Sequence, residues 1–363
     1  MQSPPADTNQ QSKPGTIMAY PLSKNITGKS FIHRHAAHCE SGAISALLRD
    51  RGLDLSEPLI FGIGSGIFFM YMPFIKMGGI PLTAYRAAPG AIIKNACKRL
   101  GIAIHTMRFR NPEKGMTELD HLMEQGISVG LQTSVFWLPY FPRDMRFQFN
   151  AHNLVAFGKE GGKEGDNYLL SDPVFEHTVS CPADDLRRAR FAKGTFAPKG
   201  LLYYPTYIPA SPDIKGAVIK GIRHTCRRML GVPLPFLGIR GIRYLAKEME
   251  RWPLKLKPEQ ALTYVGNVIR MQEEIGTGGA GFRFMYTAFL QEAADILKLP
   301  VLTEASKMMS EAGDRWREFA VKGAQLCKGR ETSKDIYNEL ARIVRDCADR
   351  EERIFRLLSK AIR

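Results

Sequence analysis

Residues 31–52 read FIHRHAAHCESGAISALLRDRG: three histidines and a cysteine stand within seven positions, just ahead of an apolar-periodic run. Ala43, Ile44, Ala46, Leu47 and Leu48 recur at helical spacing, and Glu40 would sit in the first turn, where a helix dipole favours a carboxylate. Gly52 suits the end of such a helix. The pattern predicts a helix that begins near Cys39. A thiol at that place has two chemical readings. As part of H-x-H-x-x-H-C it is a metal ligand; alone at a helix start it is a nucleophile. The metal reading is the weaker, because zinc sites draw their ligands from separate elements and one short segment running into a helix does not wrap a tetrahedron. No metal is therefore expected, and His33 and His35 receive no role. A helix N-terminus with an imidazolium nearby favours a reactive thiolate. A buried structural thiol is the plain alternative.

A nucleophilic cysteine needs a histidine base on a rigid element, and a third group to hold that histidine's other nitrogen. NAHNLVAFGKEGGKEGDNYLLSDP, residues 150–173, offers both. His152 opens a strand-like run, EGGKEGD (160–166) reads as a turn, and NYLLSDP reads as a second strand ending at Pro173. Antiparallel pairing would set His152, at the start of one strand, beside Asp172, at the end of the next. The candidate catalytic residues are Cys39, His152 and Asp172.

The rest of the chain bounds what surrounds them. At 363 residues it is long for one core, so two domains are expected. The net charge is +15, with 23 Lys and Arg against 17 Asp and Glu in residues 1–212 and 28 against 19 in residues 213–363. Spread over both parts, the excess favours an acidic partner without choosing its kind. The six cysteines form no CxxC pair, which fits reduced thiols in a cytoplasmic protein and not a disulfide framework. Residues 1–18 read as a polar, disordered tail and not a signal peptide. LIFGIGSGIFFMYMPFI (59–75) lacks charge but is short of a membrane span and holds three glycines and a proline, so it reads as buried wall. Helix and strand alternate through residues 89–136. YYPTYIPASPD (203–213) marks a boundary, and six helix-like segments follow it. The expected division is 19–205 and 206–363. The basic segment KGAVIKGIRHTCRRMLG (215–231) lacks the aromatic residues and motifs of a nucleic-acid reader.

Helix with cysteine, strand with histidine, strand with aspartate is the order of the papain-like fold. HCESGAISALLRDRGLDLSEPLIFGIGSG (38–66) resembles the N-terminal domain of the butirosin biosynthesis protein H family, and GTGGAGFRFMYTAFLQEAADIL (276–297) resembles the helical domain that follows it there. The resemblance implies an α+β papain-like catalytic domain followed by an all-α domain. It also implies acyl transfer: an acyl group leaves the phosphopantetheine arm of an acidic acyl carrier protein, passes through Cys39 and ends on a small amine. His152 would act as base and Asp172 would orient it. No bound cofactor, nucleic acid or membrane span is expected; a homodimer is compatible with the amphipathic C-terminal helices. His38 is expected at the oxyanion site or the helix start. Gly62, Gly64, Ser65 and Gly66 are expected to line the acyl pocket; their spacing fits neither a phosphate loop nor a nucleophile elbow. Gly278, Gly279, Arg283 and Tyr286 are the candidate substrate site of the helical half, where glycine-rich backbone and Arg283 at a helix start favour an anion. A cysteine peptidase or amide hydrolase on the same triad, and a binding module without activity, are the alternatives.

Overall fold

The computed structural model describes residues 23–24, 30–162, 165–330 and 335–362. The expected tail at 1–18 and the centre of the turn between the two site strands lie outside these residues. After a short pair of strands, β1 (Ser23–Lys24) and β2 (Ser30–Phe31), comes the cysteine helix α1 (Cys39–Asp50). It is followed by α2 (Glu57–Ile63), the hairpin β3 (Ile67–Met77) and β4 (Ile80–Arg86), α3 (Ala91–Leu100), β5 (Ala103–Met107), α4 (Pro112–Glu124) and β6 (Val129–Thr133). Then come β7 (His152–Gly162), β8 (Gly165–Ser171), β9 (Val179–Pro182), α5 (Ala183–Arg190) and β10 (Leu202–Tyr207). Six helices complete the described chain: α6 (Ile214–Leu230), α7 (Gly238–Lys255), α8 (Pro258–Glu273), α9 (Arg283–Leu297), α10 (Pro300–Cys327) and α11 (Ile336–Ala361). The α+β class and the six C-terminal helices agree with the sequence reading. The β3–β4 hairpin was not foreseen: residues 59–75 turn from helix to strand, because the chain breaks at Gly64–Ser65–Gly66, where Ser65 takes a left-handed φ of 55°. No helix among the described residues is long and apolar enough to cross a membrane.

The strands β5-β10-β6-β7-β8-β9 form one antiparallel sheet in that order. Alternation of side chains gives it two apolar faces. Val155, Phe157 and Tyr203 belong to the cluster that also holds Ile44, Leu47 and Leu48 of α1. Leu131, Leu154, Ala156 and Leu170 cluster instead with Leu119 and Leu122 of α4 and Leu186 of α5. The sheet is thus sandwiched, and α1 lies across β7 with its N-terminus at the strand end that carries His152.

The helical half is joined to this layer through shared core. Phe289 of α9 packs on α2, and Tyr71 of β3 lies against Tyr244 and Trp252 of α7 at ring distances of 6.0 and 6.4 Å. One cluster of buried side chains runs from Phe31 and α1 through α2 and the hairpin into α11. Its centre holds an ion pair with no exposed surface: Arg283 donates to both carboxylate oxygens of Glu351 at 2.9 Å, and Trp316 Nε1 donates to the same carboxylate at 2.7 Å. A buried charge is tolerated only when paired and hydrogen-bonded like this.

Candidate active site

Cys39 is the first residue of α1, His152 the first of β7, and Asp172 follows the last residue of β8. The ladder pairs Val155 with Ser171, so the two strands bring His152 and Asp172 to the same end of the sheet. His152 Nε2 donates to Asp172 Oδ2 at 2.7 Å. Its other nitrogen, Nδ1, is not used by Asp172, and the Cys39 thiol lies close enough to favour the charged imidazole. The three groups lie together, and all are buried, with Cys39 7%, His152 4% and Asp172 0% exposed. Burial by itself disfavours an imidazolium. Here it is outweighed by the charge and hydrogen bond of Asp172, and next by Cys39, so that His152 is pushed up to about 10.

The carboxylate is itself held. Tyr140 donates its hydroxyl to Asp172 Oδ2 at 2.9 Å, and the Val174 amide approaches Oδ1 at 3.3 Å. Phe141 sets its ring edge-on to His152 at 5.5 Å, and Phe175 packs against both Tyr140 and Phe141. These aromatics exclude water from the His152–Asp172 bond, where a lower dielectric strengthens it. The sequence reading missed Tyr140; nothing in a tyrosine 32 positions from its carboxylate signals the contact.

A second polar network fixes the start of α1. The Glu57 carboxylate accepts the amides of Ala37 at 2.9 Å and His38 at 2.7 Å and the Ser41 hydroxyl at 3.1 Å. Arg86 contacts His38 Nε2 and pairs with Glu40. Arginine only donates, so His38 Nε2 accepts and its proton lies on Nδ1, which donates to Ser41 Oγ at 2.9 Å. That tautomer leaves Nδ1 no lone pair for the Ser41 amide, whose 3.4 Å contact is then not a hydrogen bond. Burial first, then Arg86 and His152, holds His38 well below the usual histidine range, consistent with a neutral ring. Glu40 Oε1 in turn accepts the amides of Ile92 and Ile93 at the start of α3. His38 therefore serves the helix start. Both of its ring nitrogens are spent on protein partners, so of the two expected places, oxyanion site and helix start, its side chain takes the second.

The N-terminal approach to Cys39 is clamped to the far side of the site. His33 Nε2 donates to the Phe175 carbonyl at 2.9 Å, so its Nδ1 accepts from Ser171 Oγ at 2.7 Å. Ala36 bonds the Pro173 carbonyl at 2.6 Å. A Cβ on Gly42 would lie 2.6 Å from Pro173, so glycine lets α1 rest directly on the turn that carries Asp172. His33 thus has a role the sequence reading did not supply, while His35 is exposed.

The remaining candidates fall elsewhere. Gly62, Gly64, Ser65 and Gly66 are packing positions and not pocket wall. A Cβ on Gly62 would meet the Phe289 ring at 2.1 Å, on Gly64 the Ile92 side chain at 2.7 Å and on Gly66 the Phe61 ring at 2.4 Å, while Ser65 bonds the Gly221 carbonyl. Arg283 is consumed by Glu351, and Tyr286 lies in the core against Phe289 and facing Thr225, so neither meets a ligand. Gly278 comes near the segment that leads into the cysteine helix, whereas Gly279 lies against Arg317, Glu273 and Phe284. Both have positive φ, and a Cβ on Gly278 would be 3.2 Å from Ala37. Their loop does not offer the expected anion site, because the Gly279 amide bonds Thr277 Oγ1 and the Ala280 amide bonds Glu273.

Fold and site together define an α+β protein with a buried cysteine–histidine–carboxylate grouping where a helix start meets the end of an antiparallel sheet. Residues 38–173, which contain all three groups, match the family model of butirosin biosynthesis protein H, N-terminal. The resemblance read from the HCE helix start is thereby borne out, and the family is named for a biosynthesis protein. Residues 184–358, from α5 to the last helix, match a family described as a domain of unknown function. A search of curated proteins finds no match.

Proposed function

We propose that this chain is a cysteine acyltransferase of papain-like arrangement, in which Cys39 takes an acyl group from a pantetheine thioester on an acidic carrier protein and passes it to an amine. The observation that carries the reading is the grouping of Cys39, His152 and Asp172, with His152 Nε2 bonded to Asp172 and the imidazole raised to about 10 by Asp172 and Cys39. An imidazolium there is the counter-charge for a Cys39 thiolate. The thiolate attacks the thioester carbonyl, forming a carbon–sulfur bond, and the amides at the head of α1 face the developing oxyanion. Collapse breaks the bond to the pantetheine sulfur, which leaves with the proton from His152. The incoming amine attacks the acyl-enzyme, gives its proton to His152 and displaces the Cys39 thiolate, which restores the starting pair.

Burial of all three groups among Tyr140, Phe141 and Phe175 favours an amine over water as acceptor, because a dry site protects a thioester from hydrolysis. The net charge of +15 suits an acidic donor protein.

The test is intact-protein mass spectrometry after incubation with a panel of acyl-carrier thioesters, wild type against Cys39→Ser. A mass gain on wild type alone supports the proposal and its size names the acyl group. Release of that group to water as fast with as without amines would instead make the protein a hydrolase, and no gain with any donor would end the acyl-enzyme reading.

A further inference from the structure

A cleft of about 480 Å3 opens at the end of the sheet that carries His152, and its lining includes neither Cys39 nor His152. Ser134 and Asn150 are among the residues that line it. Ser134 directly follows Thr133, the ladder partner of His152, and Asn150 stands two residues before His152. The cleft and the triad therefore share the same strand ends.

Its walls have two characters. Phe136, Trp137 and Phe191 supply aromatic surface, and Arg187, Arg188 and Lys193 supply positive charge. No acidic side chain is among the described residues that line it. Asp184 and Asp185 reach Arg187 and Arg188 only at 3.5 Å from the previous turn of α5, so these guanidiniums keep most of their donors free. Arg188 already lies 5.6 Å over the Trp137 ring. Phe136 and Trp137 are 41% and 38% exposed, which is unusual for rings that large and is not explained by packing.

The cleft is also held in shape. Asn150 Nδ2 donates to the carbonyls of Lys193 at 3.2 Å and Thr195 at 2.9 Å, while Gln132 Nε2 donates to those of Asn150 and Phe196 at 2.8 and 3.1 Å. The loop that carries Lys193 is thus tied to the strand ends. A concave, preformed site of a few hundred cubic ångströms with aromatic walls and a few convergent charges is the form of a small-molecule site.

We propose that this cleft binds a small organic anion, its flat or apolar body against Phe136, Trp137 and Phe191 and its phosphate or carboxylate between Arg187, Arg188 and Lys193. It is a second ligand site beside the triad, and it stands apart from the acyl-transfer reading, since it needs no reaction at Cys39. Planar guanidinium groups pair well with either oxyanion, and the aromatic walls give the preference for an organic over an inorganic one.

Trp137 supplies its own reporter. Of three tryptophans, Trp252 is 3% and Trp316 0% exposed, so quenching by a ligand in the cleft reads mainly Trp137. The full chain is titrated with phenyl phosphate, benzoate, inorganic phosphate and neutral benzyl alcohol. Phenyl phosphate or benzoate is expected to quench saturably, whichever binds tighter naming the head group, and inorganic phosphate and benzyl alcohol to bind at least about tenfold more weakly. The double variant Arg187→Gln, Arg188→Gln should weaken the organic anion at least about tenfold, Trp137→Phe should remove the signal, and Cys39→Ser, although it abolishes the acyl-enzyme, should leave the quenching curve where it is. The proposal is overturned by the absence of saturable quenching with either organic anion, by inorganic phosphate binding as tightly as phenyl phosphate, or by quenching that survives Trp137→Phe. Loss of the acyl-enzyme with the titration intact would fail only the acyl-transfer reading.

Discussion

Replacing Asp172 by Asn removes one charge from the site with little change of shape. The carboxylate is fully buried, and His152 Nε2 and Tyr140 both donate to its Oδ2. An amide oxygen in the same place keeps those two bonds; only the Val174 amide, 3.3 Å from Oδ1, loses its acceptor. What disappears is the negative charge that offsets the cost of burying an imidazolium. An opposite charge at this distance is worth roughly 1–3 pH units, so His152 should fall from about 10 to about 7–9. His152 is the acid that protonates the leaving sulfur, so the high-pH limb of the transfer rate must move down by the same amount. At pH 9 a histidine titrating near 7 is about one-hundredth protonated and one near 9 about half, against about nine-tenths for one near 10, which gives a rate loss of about ninetyfold to twofold; near pH 6 the loss shrinks. The assay pairs the pH profile of acyl transfer with nitrogen NMR of histidine-labelled protein, His152 being assigned from its absence in His152→Gln. A merely structural role for Asp172 would lower the rate equally at every pH. The reasoning is refuted if His152 titrates at the same pH in both proteins, or near 6.5 in the wild type.

Three other outcomes follow from the packing. Burial pushes the thiols of Cys97, Cys181 and Cys226 up to about 12 and that of Cys347 well above its ordinary value, so in Cys327→Ser, which removes the exposed thiol, iodoacetamide at pH 7 should add one label, lost in Cys39→Ser on peptide mapping. Arg283→Met should cost roughly 3–5 kcal/mol in denaturant unfolding, because Glu351 is left as a buried unpaired charge, and adding Glu351→Leu should recover part of it. Gly62→Ala drives a Cβ to 2.1 Å from the Phe289 ring and should cost about 1–3 kcal/mol by the same method with KM unchanged, whereas a pocket role would show in KM.

Much of the site was legible in order and spacing alone. Glu40 in the first turn and apolar residues at three and four placed the start of α1 near Cys39, and the hairpin around residues 160–166 was enough to bring His152 and Asp172 together. These are local consequences of backbone geometry: a helix start, a strand period and a turn each need only neighbours in the chain. The six C-terminal helices were legible for the same reason.

Other roles depended on partners that local pattern does not name. Arg283 at a glycine-rich helix start reads as an anion site, and only the fold supplies Glu351, 68 residues on, to bury it. GIGSG reads as a loop that lines something; its glycines are there because Phe289, Ile92 and Phe61 pass where side chains would stand. His33, 138 residues from Ser171, and Tyr140, beside Asp172, gained their roles in the same way. The sequence by itself determined which residues start and end the elements, because those signals act over a few positions. Which charge is paired, which glycine is crowded and which imidazole is already spent was decided by tertiary structure, because burial and partnership belong to segments that meet only when the chain has folded.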